Sequence, residues 1–487
     1  MFITSHWTTK LQPTMKFLKN IKGRVLNVLF WSIISAAFIG PGTVTTATKA
    51  GADCGFQLLW TLGFATIACI VLQEASARAT IYSGLNLGQA IKKHFSGTKM
   101  ELPAIILVVG AIILGCAAYE TGNILGSVEG VALMFPGVEK WMIVAVLGVM
   151  SAIILAMKDI KIISNIMGAF VFLMGFTFIA VALLGKPSVG DIASGFVPSL
   201  PEVDGVSLLV LGLIGTTIVP YDIFLGSSVV QKETTIRDMR IGVTISVVIG
   251  GFISMAILVV GTEMSAEAQT EGFSYELLAR TLETHIGQGA VYVFGIGLFA
   301  AGFTSAITSP LISALTAKSI FGKDDTNKNN DAANNDMKKG RSFIAVSYAV
   351  LSIGLIFGFL QVEPVPAIIM AQAFNGLILP FVSIFLFTII NDEKIMGREH
   401  VNNLGSNIVM ILVTWMTLVL GLVKAIRAFW SVELVQNICR HILGHSIPTS
   451  DEFFVLSAIL AILITAIVVF YITRKRRSSN IGNIKFA

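Results

Sequence analysis

Runs of roughly twenty apolar residues recur from one end of this 487-residue chain to the other, and that is the length a helix needs to cross the hydrocarbon core of a bilayer. Backbone facing lipid must satisfy its own hydrogen bonds, so the runs are helices. A membrane barrel would read instead as short segments of alternating polarity. Composition agrees: 54% of the residues are hydrophobic and 13% charged, too little polar surface to clothe a water-soluble globule. The cysteines Cys54, Cys69, Cys116 and Cys439 show no CxxC spacing, so buried thiols are expected rather than a disulfide framework or a metal cluster.

The apolar windows place spans near residues 29–50, 56–77, 103–133, 141–157, 161–184, 207–230, 241–262, 288–317, 342–361, 365–390, 405–424 and 452–473. With the N-terminus set in the cytoplasm, 27 of the 34 Lys and Arg residues fall in inward-facing connections and 6 in outward-facing ones, with Lys49 inside a span. That bias predicts an all-α polytopic protein of about twelve transmembrane helices in a cell membrane, a bacterial inner membrane being expected, with both termini cytoplasmic. Residues 321–341 are Asn-rich and poor in apolar residues, which predicts a cytoplasmic loop rather than a second globular unit. Residues 264–287 and 431–447 carry the weaker, amphipathic pattern of helices lying on the outer surface.

The first and sixth predicted spans each carry a proline at mid-membrane, Gly40-Pro41-Gly42-Thr43 and Val219-Pro220-Tyr221-Asp222. Each proline removes a backbone donor and clashes with the preceding turn, so each helix is expected to break there. Irregular backbone at that depth survives only where it is buried in protein or lines a cavity, and matched breaks in two halves of a chain point to a transported solute's site. The expected organisation is therefore a cytoplasmic N-terminal segment (1–28), a five-helix repeat (29–184), a second, inverted five-helix repeat (207–390), two additional helices (391–473) and a cytoplasmic tail (474–487).

Asp222 is the ionisable group beside the second break, and a carboxylate at that depth calls for a polar cavity and a cationic partner. Thr43, Thr216, Thr217, Gln372 and Asn375 offer further oxygens, a set suited to a hard cation that keeps some of its water. No catalytic nucleophile with its base, no H-E-x-x-H motif and no phosphate loop is present, so the chain is not expected to be an enzyme. Neither a resident cofactor nor an obligatory protein partner is implied, and the positive charge follows the membrane rather than a nucleic acid.

These segments resemble the Nramp family of divalent-metal transporters. GPGTVTTATKAGADCGFQLLW with LQEASAR is similar to the family's first two spans, VPYDIFLGSSVVQ to its sixth, GLFAAGFTSAITSPLISA to its eighth and AQAFNGLILPF to its tenth. The resemblance implies a LeuT-type fold of two inverted five-helix repeats with two broken helices, Pro41, Gly42 and Pro220 at the breaks. It also implies a metal site at positions 40, 43, 219 and 222, and a permeation route towards the cytoplasm past Glu120.

The departures carry the chemistry. The family's first-break Asp-Pro-Gly-Asn is Gly-Pro-Gly-Thr here, so the metal-binding aspartate is Gly40 and the asparagine is Thr43. Its Met-Pro-His-Asn is Val-Pro-Tyr-Asp, which replaces the thioether by Val219, the proton-linked histidine by Tyr221 and an asparagine by Asp222. Ala117 stands where an aspartate precedes the family's glutamate. These changes resemble the magnesium-transporting branch more than the manganese-transporting one, and imply a carrier of Mg²⁺, with Mn²⁺ as a second ion, that is not proton-coupled. The rival expectation is a carrier of a small organic or anionic solute, held by the amides of Gly40 and Gly42 with Lys49 strengthening the field.

Overall fold

The computed structural model describes residues 39–157, 161–203, 205–230, 234–264, 272–321, 341–430 and 450–484. The expected cytoplasmic N-terminal segment, the start of the first span, nearly all of the loop at 321–341 and the amphipathic stretch at 431–447 lie outside the described residues. Within them the chain is helical. The elements are α1 (Pro41–Cys54), α2 (Leu59–Ser83), α3 (Leu87–Phe95), α4 (Glu101–Met134), α5 (Lys140–Ala156), α6 (Lys161–Leu184), α7 (Val189–Gly195), α8 (Val206–Thr217) and α9 (Pro220–Val229). They continue with α10 (Ile236–Glu263), α11 (Tyr275–Ile286), α12 (Gly289–Phe321), α13 (Arg341–Phe359), α14 (Pro364–Ile389), α15 (Glu393–Met396), α16 (Leu404–Trp430) and α17 (Ser450–Ile484).

Among the described residues nine helical stretches are long and apolar enough to cross a membrane, α1 and α2 being one stretch joined by a 3₁₀ turn, while α5 and Val171–Leu184 are shorter apolar helices. Each window falls on a helix where it is described, with most ends within a few residues, because span length is set by the bilayer and not by tertiary contacts; α2, α16 and α17 run on past their windows, α17 the furthest. The sixth window is split into α8 and α9 at Ile218 and Val219, with Pro220 opening the second piece. Of the first window only the part after the break is described. Gly40 is extended (φ −117°, ψ −174°) and α1 begins at Pro41, whose fixed φ and missing N–H suit a first helical position.

Lipid supplies no hydrophobic drive between helices, so close backbone packing over small residues holds them together. A Cβ on Gly51 would lie 2.0 Å from the Leu258 carbonyl oxygen and one on Gly261 2.2 Å from that of Thr48, which seats α1 on α10. α4 is seated the same way: Cβ atoms on Gly130 and Gly302 would strike the backbone across the α4–α12 contact, and one on Gly354 of α13 would strike Glu120. Three glycines and an asparagine in TGNILGSVEG would favour a distortion of the third span. α4 instead runs unbroken from Glu101 to Met134, and its Gly126 gives room to the Pro41 ring.

A Cβ on Gly215 of α8 would sit 2.0 Å from the Gln372 carbonyl oxygen of α14. Gly215→Ala is therefore expected to push α8 off α14 and to lower stability by about 1–3 kcal/mol, the usual cost of overpacking. A thermal-unfolding midpoint in detergent equal to that of the parent would refute this contact.

Two short helices lie at opposite ends of the bundle. α3 follows α2, and the Leu87 amide at its start donates to Ser227 Oγ on α9 (3.1 Å). Near its other end, His94 Nδ1 meets Asp392 Oδ2 (2.6 Å), which also accepts from Lys475 Nζ of α17 (2.9 Å). Burial raises the proton affinity of the Asp392 carboxyl, but the bonds from His94, Lys475 and the Lys394 amide outweigh it and hold the group well below the ordinary carboxylate range. α11 lies in the stretch expected to be amphipathic and buries Tyr275, Leu277, Leu278, Ala279 and Leu282 on one face.

Candidate functional site

The two breaks meet. Thr43 Oγ1 of α1 and Thr216 Oγ1 of α8 are 2.8 Å apart and fully buried. The second break is held open by local chemistry: Ile218 still bonds back to Ile214 (2.8 Å), Val219 turns extended, and its carbonyl accepts from the Asp222 amide (3.0 Å) as α9 begins. Ser76 of α2 pins this half-helix by donating to the Ile223 carbonyl (2.8 Å). The last carbonyls of α8 lack intrahelical partners and carry the negative end of its dipole to the break, where a cation is favoured.

Asp222 is 2% exposed, and neither of its carboxylate oxygens has a hydrogen-bond partner. No cationic side chain faces it among the described residues. A buried carboxylate without a partner is costly, by several kcal/mol before relaxation, so something absent from the bare chain is expected to complete it. Around it lie further buried atoms without partners: the hydroxyls of Tyr119 and Tyr221, Gln372 Oε1 and Asn375 Nδ2. The two tyrosine rings meet edge to face at 5.2 Å. Thr43, Thr216, Tyr119, Tyr221, Gln372 and Asn375 are each 2% exposed or less, so the arrangement is closed to both sides.

Of the residues singled out from the sequence, Gly40, Pro41, Gly42, Thr43, Thr216, Val219, Pro220, Tyr221, Asp222, Gln372 and Asn375 are all buried in this region. Thr217 turns its hydroxyl back to Leu213 of its own helix (2.9 Å). Glu120 is fully buried and within electrostatic range of Tyr221, with Oε2 accepting from Asn123 (3.4 Å) and Oε1 without a partner. Glu129 lies further along α4 and pairs with Lys140 (2.6 Å). The Glu74–Arg78 pair forms as helical spacing predicts (3.0 Å), and Arg240 of α10 joins it (2.9 Å).

Sequence reasoning missed Tyr119, Ser305 and two thiols. A Cβ built on Gly40 would have the Tyr119 hydroxyl at 3.7 Å and Ser305 Oγ at 3.8 Å as its nearest neighbours, so neutral hydroxyls border the room that an aspartate would fill. Cys69 of α2 and Cys116 of α4 lie within electrostatic range of Asp222, although no sulfur lies in either break. Only the fact that Tyr119 precedes Glu120 could have drawn attention to it.

The geometry speaks against an anion at the first break. The side-chain face of Gly42 is filled by the Gln372 amide, whose Nε2 lies where a Cβ would be (1.9 Å). Lys49, expected to strengthen a positive field, is neutralised by Asp53 at 2.8 Å because i,i+4 spacing brings the two together. Among the described residues no group of three or more His, Cys, Asp and Glu side chains is arranged to hold a metal. Among the described residues the region brings together one carboxylate and several neutral oxygens.

A family profile described as "Natural resistance-associated macrophage protein-like", Nramp, matches residues 32–427. The divalent metal cation transporter MntH of Erwinia tasmaniensis is 29% identical over 319 residues, covering 62% of this chain and 73% of that protein. The protein of the same name from Klebsiella pneumoniae is 27% identical over 290 residues, covering 57% and 68%. A crystal structure of the Eremococcus coleocola manganese transporter shares the fold with a TM-score of 0.64 at 18% identity, over 94% of this chain and 96% of that one. Mhp1, a nucleobase-cation-symport-1 family transporter, shares it at 0.54 and 15% identity, over 92% of each chain.

Proposed function

This chain belongs to the Nramp family, and from that premise we propose that it carries divalent metal cations across a membrane, with Mg²⁺ as its principal substrate and Mn²⁺ as a second. The observation that carries the reading is Asp222, buried and without a partner at the meeting of two broken helices. A cation supplies the missing charge. The relatives named above support the divalent class, and their names favour manganese; this chain's own ligands favour a harder ion. Val219 brings no thioether, and the neutral oxygens of Thr43, Thr216, Tyr119, Tyr221 and Gln372 suit an ion that exchanges water reluctantly.

Donors sit beside acceptors in this lining: Asn375 Nδ2 can only donate, so it faces the ion's water rather than the ion. With Gly40 and Tyr221 at the positions of the family's aspartate and histidine, the reading includes transport without proton coupling. The membrane potential then drives entry, at roughly 4.6 kcal/mol per 100 mV for a divalent ion. The charge bias of the connections supports an orientation with α11 outside and α3 inside.

Reconstituted vesicles with an imposed potential and no pH gradient test this directly. Mg²⁺ and Mn²⁺ are expected to enter without acidification of the lumen. Stoichiometric proton entry would overturn the uncoupled reading, and uptake of Mn²⁺ with none of Mg²⁺ would overturn the choice of ion.

A further inference from the structure

We propose that α11 is a pH-responsive clasp on the outer side of the permeation path, in which Tyr275 positions the first break and the His285–Glu263 pair fastens the helix. The outer placement rests on the orientation given above; the clasp itself rests on two sets of hydrogen bonds.

At the start of α11, the Tyr275 hydroxyl meets Thr45 Oγ1 at 2.5 Å, with both residues buried. Thr45 already spends its own proton on the Pro41 carbonyl (2.7 Å), so Tyr275 must be the donor. A chain therefore runs from Tyr275 through Thr45 to the backbone of the break, and bonds in such a chain polarise and strengthen one another. Tyr275 touches no predicted ligand, which makes it a positioning residue.

At the end of α11, His285 Nδ1 lies 2.9 Å from the Thr281 carbonyl and Nε2 lies 3.2 Å from Glu263 Oε2 at the end of α10. A carbonyl and a carboxylate both only accept. With both ring nitrogens protonated, both contacts are hydrogen bonds and the one to Glu263 is an ion pair, so the imidazolium makes the clasp at its strongest. Thr284 Oγ1 donates to Thr281 (2.7 Å) and also lies 3.2 Å from Nδ1, so a neutral ring can accept from Thr284 while its Nε2–H keeps an uncharged bond to Glu263. A positive charge is also favoured at a helix C-terminus. Losing the ring's charge therefore replaces a charge-assisted bond across α10 and α11 by one about half as strong.

At the α11 ends of the elements packed against it, the charged groups are Glu263 on α10 and Glu129 on α4, with Lys140 at the start of α5 and Lys186 just past α6; α12 carries only Lys318, near its far end, and α11 itself adds Glu276, Arg280 and Glu283. Of these, Glu263 is the one in ion-pair contact with His285. The side chains of His285 and Glu263 are 26% and 22% exposed, enough for bulk protons to reach them. Acid outside strengthens the clasp by charging the pair's hydrogen bond, and alkali weakens it.

The test needs no substrate. Cys54, Cys69 and Cys116 are buried thiols, so spin labels at Arg280→Cys and Val189→Cys, both exposed positions, in a Cys439→Ser background report on α11. The 280–189 distance distribution is expected to be narrow at about pH 5 and to lengthen or broaden by about pH 8, with no such change in His285→Gln or Glu263→Gln. Cation influx at fixed potential is expected to rise over the same external range in the parent and to stay flat in both variants. Tyr275→Phe is expected to keep the distance response and lose the response of influx. No pH response in the parent, or an equal one in His285→Gln, would overturn the clasp. A distance response in protein that moves no cation would instead defeat the transport reading and leave the clasp standing.

Discussion

Asp222→Asn is expected to abolish divalent-cation uptake and, at the same time, to raise the thermal stability of the ion-free protein. The carboxylate has no protein partner for either oxygen, so in the empty state it is pure desolvation cost. The amide has the same shape, carries no charge and can bond to the neighbouring tyrosine hydroxyls. A gain of about 1–3 kcal/mol in the empty protein follows from the price of leaving a buried polar group unmade. The ion, by contrast, loses its single charged ligand, and uptake is expected to fall by about a hundredfold or more, the scale of losing charge-assisted contacts worth roughly 3 kcal/mol. Thermal shift with and without Mg²⁺, alongside flux in vesicles, reads both effects. Parent-like uptake in Asp222→Asn or Asp222→Ala would remove this residue from the mechanism.

Gly40→Asp is expected to act in the opposite sense. The nearest atoms to the new Cβ would be hydroxyl oxygens at 3.7 and 3.8 Å, ordinary contact distances, so the side chain enters without displacing backbone. It would place a second carboxylate in the same closed site as Asp222. Two charges bind a divalent ion far better than one where water is excluded, and half-saturating Mg²⁺ and Mn²⁺ are each expected to fall by about tenfold or more, equivalent to about 1.4 kcal/mol. Without an ion the pair repels, and one carboxyl retains a proton. Uptake by the variant is therefore expected to gain an acid sensitivity that persists when His285→Gln removes the parent's own. Unchanged affinity for both ions would show that position 40 lies outside the path.

What the sequence revealed and what it hid divide along a physical line. Span positions follow from hydropathy over a fixed bilayer thickness, a property of one segment; a missing N–H marks Pro220 as a place to break, but α12 and α14 run unbroken through Pro310 and Pro380. The pairing of Thr43 with Thr216, and the approach of Tyr119 to the Gly40 side of the site, join distant segments. Nothing in the spacing of α4 announces them. The glycines of α4 illustrate the same division. Read alone they weaken a helix, whereas in place they admit Pro41 and α12 against an unbroken one. Lys49 looked available for an anion until Asp53, one turn on, was seen to hold it. His94 and His285, both placed correctly in connections, became informative only when Asp392 and Glu263 were found beside them.

The glycine contacts of α1 with α10, of α8 with α14 and of α4 with α12 press main chain against main chain. At Gly51, Gly261, Gly215 and Gly130 the nearest atom is backbone, which no substitution can trim or reshape, so a lineage has almost no freedom to adjust these points by small steps. Freedom is left on the flanks: Leu183, Phe252 and Ile467 point outward and are more than 60% exposed, and any comparably greasy residue serves equally well there. Divergence should therefore accumulate like weathering on the outer faces of a masonry arch whose joints are dry and mortarless. A chain only 18% identical to another can then retain the same fold over 94% of its length.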